Sequence, residues 1–176
     1  MRFQFDDGGR AKAGYRGKTG DCVCRAIAIA TQMPYQTVYD LLNEKSKDER
    51  ITKRRTKRDS ARTGIHKDTA RRVLEDLGWQ WTPTMKIGSG CKVHLRADEL
   101  PKGRLIVSVS RHMVAVVEGV IRDTHDCSRN RNRCVYGYWQ RAHEDVTRER
   151  STDERPEGAL STGLLSYLVN LWNGKS

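Results

Sequence analysis

A chain of 176 residues with 33 lysines and arginines against 22 acidic residues carries a formal charge of +11. That length suits one domain with its own core and is short for two. The charge directs the search for partners toward polyanions and acidic proteins, and no window is apolar for long enough to span a membrane.

Five cysteines, an odd number with no CxxC pair, and an N-terminus (MRFQFDDGGRAK) without an apolar signal region read as a reduced, cytoplasmic protein with free thiols.

Taken in chain order, Met1 to Phe5 alternates weakly and reads as a short strand. Asp6 to Gly20 holds five glycines among basic residues and is a loop. Asp21 then stands at an N-cap position, and Cys22 opens a helix whose next residues, Val23 to Ala30, are apolar except for Arg25. A helix that is apolar nearly all round is a buried one. Pro34 ends it near Gln32 or Met33 and starts a second helix, Tyr35 to about Lys45, with Val38, Tyr39, Leu41 and Leu42 at helical spacing.

Residues 45–62 carry nine basic side chains around one large aliphatic, Ile51, and read as a mobile basic insertion. A third helix is expected from His66 to Leu77, ended by Gly78, and Trp79 to Thr82 reads as a strand. The Gly88-Ser89-Gly90 turn lacks the residues of a phosphate loop. Val93 to Leu95 reads as a short strand. The clearest strands are Arg104 to Ser110, His112 to Val117, Val120 to Thr124 and Cys134 to Arg141. Residues 146–158 form a charged linker, and 159–173 an amphipathic C-terminal helix. Helices first and a meander after make residues 1–145 an α+β domain.

Chemistry concentrates at two places. The N-terminus of the first helix sets unpaired N–H groups and the positive end of the dipole beside the Cys22 thiol, which favours the thiolate. With Glu118 and Gly119 at a two-residue hairpin tip, Val117 faces Val120, Val114 faces Asp123 and His112 faces His125. His112, Val114, Val116, Ile121, Asp123 and His125 then share one sheet face, with Asp123 diagonal to His112 and that aliphatic face in need of cover. Thiolate, imidazole and carboxylate are the parts of a nucleophile, its base and the group that orients the base.

The run Asp21 to Ala26 opening a helix, followed by Ser110 to Val116 and Val120 to Thr124, resembles small papain-like cysteine peptidases, in particular the compact ones encoded by phages and prophages. The resemblance spans about residues 15 to 140. It implies a buried helix carrying the cysteine, packed on an antiparallel sheet carrying the histidine and aspartate. It also implies Cys22 as nucleophile, His112 as base and Asp123 as the orienting residue, acting on a peptide or protein substrate without a cofactor. Such enzymes place a glutamine about six residues before the nucleophile; here that position is Arg16, and Thr19 is the nearest uncharged polar side chain, so these two are the candidates for oxyanion support.

Two other readings compete. Cys91, Cys127, Cys134, His94 and His125 could supply zinc ligands, but they lack the tight paired spacing of structural zinc motifs, and no metal is expected. A basic nucleic-acid-binding or host-interaction protein would use Arg54, Arg55, Lys57 and Arg58 with Arg129, Arg131 and Arg133, and Tyr136, Tyr138 and Trp139 as stacking platforms.

Overall fold

The computed structural model describes residues 1–49, 58–86 and 88–141. The expected linker 146–158 and terminal helix 159–173 lie outside them, as do Arg54, Arg55 and Lys57. In chain order the elements are β1 (Arg2–Phe5), α1 (Cys22–Thr31), α2 (Tyr35–Lys47), α3 (Lys67–Asp76), β2 (Trp79–Pro83), β3 (Arg104–Val109), β4 (His112–Val117), β5 (Val120–Asp123) and β6 (Val135–Arg141). This is an α+β domain. No helix among the described residues is long and apolar enough to cross a membrane.

The helices follow from local sequence. α1 ends where Gln32 turns left-handed (φ 61°), two residues before Pro34. The His66 ring accepts from the Asp68 N–H at the start of α3, and Gly78 (φ 78°) turns the chain out of its end. Asp21 holds the N-cap position of α1 without capping it, because its carboxylate is drawn to other partners described below.

The sheet runs β1-β5-β4-β3-β6-β2. Strands β2 to β6 pair antiparallel as expected, but β1 lies parallel to β5, from Arg2 opposite Val120 to Phe5 opposite Asp123, so the sheet is mixed. The hairpin register is the expected one, with Val117 opposite Val120 and Val116 opposite Ile121. Val93 to Leu95 contributes one isolated bridge, His94 to Cys134, rather than a strand.

Both faces of the sheet are covered. α1 packs on the face presenting Ile106 and Ala115, with Met113 and Val117 at its margin. Val114, Val116 and Ile121 lie in a second core with Leu105, Val107 and Val109, closed by Leu95, Leu100 and Cys127. Cover for the aliphatic face that carries His112 therefore comes from the segments before β3 and after β5, not from the cysteine helix. The strands RLIVSV and HMVAVV are apolar on both sides, which is the pattern of a doubly covered sheet.

Of the expected basic insertion 45–62, residues 50–57 lie outside the described residues, and its two flanks are held to the helices. Lys45 to Lys47 belong to α2, and Ser46, Glu49 and Ala61 are buried. The Ala61 N–H donates to Asn43 Oδ1 at 2.9 Å, and Glu49 accepts from the Thr69 hydroxyl of α3 and from the Asp59 N–H. Small residues and a satisfied carboxylate thus anchor both flanks to the helices.

Cys91 and Cys134 form a disulfide with Cα atoms 5.8 Å apart, which corrects the expectation of five free thiols; Cys22, Cys24 and Cys127 are free. The bond ties the segment that closes the second core to the start of β6 across 43 residues. Closing a loop of that size restricts the unfolded chain, so reduction or Cys91→Ser should lower stability by about 2–4 kcal/mol. Urea unfolding with and without reductant measures this, and coincident curves would argue against a structural role.

Gly137 of β6 sits beneath the Trp81 ring, which also leans on Trp139 with centroids 5.2 Å apart. A methyl group there would lie 2.7 Å from the Thr82 carbonyl oxygen, a backbone atom fixed in the ladder. Gly137→Ala should cost about 1–3 kcal/mol by overpacking, read as a lower urea midpoint with an unchanged slope.

Candidate active site

Cys22, Asp21, Arg25, His112 and Asp123 converge where β4 begins and β5 ends, so that α1 can approach from one side and the loop after β5 from the other. Asp21, 1% exposed, holds its carboxylate against Arg10 Nε at 3.1 Å, the Tyr35 hydroxyl at 2.6 Å and the Arg25 guanidinium one helical turn on. Arg25, itself buried, also reaches Asp123 Oδ1 at 3.2 Å. Asp123 Oδ1 accepts from the Thr124 N–H at 2.7 Å as well, and Oδ2 meets His112 Nε2 at 2.5 Å. Asp6, the residue after β1, fixes the backbone of Asp123 through its N–H, 2.9 Å from the Asp123 carbonyl oxygen.

Asp123 accepts from Nε2–H, which leaves Nδ1 of His112 for the two thiols beside the ring, Cys22 and Cys127. Burial pushes the Cys22 thiol up, but hydrogen bonds from His112 and the Met113 backbone N–H, and the charges of His112 and Arg25, bring it below the ordinary thiol range. Burial disfavours a charged His112, yet Asp123, Cys127 and Cys22 together raise it to about 11. Desolvation likewise opposes ionisation of Asp123, and the His112 and Thr124 hydrogen bonds with the nearby positive charges hold it below the usual carboxylate range. The three shifts describe a thiolate–imidazolium pair backed by a carboxylate.

Cys24, two residues on, faces the other way. It is 1% exposed, its sulfur lies 3.9 Å from the Tyr35 carbonyl oxygen, and burial followed by the Asp21 charge pushes its thiol up to about 12. The same aspartate that could have opposed the Cys22 thiolate is turned toward Arg10, Arg25 and Tyr35 instead.

The expected Cys22, His112 and Asp123 are thus brought together. Of the two candidates for oxyanion support, the Thr19 hydroxyl donates to the Arg62 carbonyl, while at Arg16 it is the backbone carbonyl that accepts from the Arg62 guanidinium, at 3.3 Å. The backbone N–H groups of the first turn of α1 have no intrahelical acceptor.

The zinc set is dispersed, with Cys91 and Cys134 bonded to each other and His94 Nδ1 paired with Glu99 Oε2 at 3.1 Å. His112, Asp123 and His125 offer ligand atoms within 4.8 Å of one another, but a metal there would have to displace the His112–Asp123 bond. Of the stacking platform, Trp139 is buried and Tyr138 packs on the second core, leaving Tyr136 as the exposed ring. Arg58, Arg129 and Arg131 are exposed, whereas the Arg133 guanidinium donates to the Ser110 carbonyl.

Sequence reasoning missed the roles of Arg25, Arg10 and Tyr35, and the contact of Cys127 with His112. The signal for Arg25 was present, as a lone charge in an apolar helix four residues after an aspartate. No protein-family model, no curated protein and no solved structure matches this chain.

Proposed function

We propose that this protein is a papain-like thiol hydrolase, a cysteine peptidase or close relative acting on a peptide or similar acyl bond. The observation that carries the reading is the relay of Cys22, His112 and Asp123 at the N-terminus of a buried helix, with the thiol lowered and the imidazole raised. The Cys22 thiolate attacks the acyl carbon, and the carbonyl electrons move onto oxygen under the N–H groups of α1. The tetrahedral adduct collapses as the bond to the leaving group breaks, and His112 Nδ1–H protonates that group. Water then attacks the thioester, His112 takes its proton, and the acid leaves as the Cys22 sulfur departs. Asp123 holds the ring in one tautomer throughout.

Alkylation by iodoacetamide against pH tests the reading. Wild type should show a fast phase at pH values below the ordinary thiol pKa, absent in Cys22→Ala, kept in Cys24→Ala and slowed in His112→Ala. If the fast phase follows Cys24, the nucleophile is misassigned; if no variant shows one, the hydrolase reading fails.

A further inference from the structure

A cleft of about 610 Å³ opens beside His112, the one member of the relay in its lining, and is within the size range of small-ligand sites. Arg111, His112, His125, Asp126, Arg129 and Arg133 line it, so the lining carries three arginines and one carboxylate. Asp126 is partly engaged already, its Oδ1 accepting from the Ser128 N–H at 2.8 Å. Arg133 is fixed in the wall by its bond to the Ser110 carbonyl, and its Nε is buried without a partner. Arg111 and Arg129 are exposed and, among the described residues, neither has an ion pair. Both hold left-handed backbone, φ 56° and 52°, a conformation that glycine adopts without steric cost and that other residues resist. An arginine nevertheless stands at each.

We infer that this cleft is a subsite for a carboxylate, in which Arg111 and Arg129 bind an acidic side chain of the substrate next to the bond presented to Cys22. The proposal gives the hydrolase reading its substrate class and rests on that reading for its role, though the cleft would bind an acidic peptide even if no bond were cleaved. Paired guanidinium groups recognise a carboxylate with geometry as well as charge. The positive cleft also steers such a substrate to the site at a rate that salt suppresses. A nucleic acid is the poorer fit, because the lining carries no aromatic ring other than the two imidazoles, 5.1 Å apart.

The test uses full-length Cys22→Ala protein, so that no peptide is consumed, and follows the His112 and His125 ring resonances by NMR. Acetyl-tetraglutamate amide should bind about tenfold tighter than acetyl-tetraglutamine amide at low salt, with the difference shrinking as salt rises. Arg111→Gln with Arg129→Gln should erase the preference without changing the melting temperature. Acetyl-tetraglutamine with a free C-terminus separates the two sources of carboxylate: binding equal to tetraglutamate would keep the subsite and assign it to the end of a chain. Equal binding of the two amides, a preference that survives the double variant, or shifts produced by oligothymidylate and not by tetraglutamate would each overturn the proposal. Loss of the fast iodoacetamide phase in wild type strikes the hydrolase reading alone.

Discussion

Cys22→Ala should abolish the acylation of this protein by p-nitrophenyl acetate, a loss of about 10³-fold or more. Wild type should release one equivalent of nitrophenolate per chain in a fast phase. His112→Ala should slow it by about 10²–10⁴, the usual contribution of a positioned acid–base group. Cys24→Ala should change little, since that sulfur is buried under Tyr35 and its thiol is pushed up to about 12. The pH profile follows from the signs of the two shifts. The reactive thiolate appears as pH rises through the lowered Cys22 value, so the rising limb comes earlier than for an ordinary thiol. The proton on His112 persists until its raised value of about 11, so the falling limb comes late. Removing His112 takes away the hydrogen bond and charge that depress the thiol, and the rising limb should move up. A burst that survives Cys22→Ala, or a rising limb unmoved by His112→Ala, would contradict the assignment.

The relay was legible because two short-range rules fix it. A two-residue turn at Glu118 and Gly119 with strand alternation is enough to place Asp123 beside His112, and the observed register of Val116 on Ile121 agrees. The start of a buried helix is enough to expose a thiol at Cys22. What periodicity could not decide was which layer covers which face. The β3 and β4 strands are apolar on both sides, so nothing in them says that α1 takes the Ile106 and Ala115 side while the 93–100 segment takes the other. The parallel pairing of β1 to β5 joins residues almost 120 positions apart, and four weakly alternating residues carry no sign of direction. Cys91 and Cys134 sit in stretches without periodicity, where pairing depends on the fold already formed. The departures from sequence expectation around Asp21, Thr19 and residues 45–49 share one cause. Each of those side chains had a local role available and was taken by a partner distant in the chain.

Arg25→Met should be the most destabilising single change near the site, about 3–5 kcal/mol. Arg25 stands between two buried carboxylates, Asp21 and Asp123, and removing it leaves both in a poorly solvated place with one positive partner fewer. That loss is a large part of the stability of an ordinary domain. The Lys47–Glu44 pair, exposed on α2, is the control, and Lys47→Ala should change stability by about 0.5 kcal/mol or less. Asp21→Asn added to Arg25→Met should recover part of the loss, because removing both partners of a buried pair costs less than stranding one. The pH dependence gives a second readout. Asp123 has its carboxyl lowered in the folded protein, so its contribution is present above the unfolded carboxylate value and lost as pH falls through the folded one. Arg25 is one of the charges that hold it down, so in Arg25→Met the acid limb of the stability curve should shift to higher pH. Urea unfolding between pH 3 and 7 separates the outcomes. A variant as stable as wild type, with its acid limb in place, would mean that Asp21 and Asp123 are held by Arg10, Tyr35 and His112 alone, and that Arg25 is a passenger in the network.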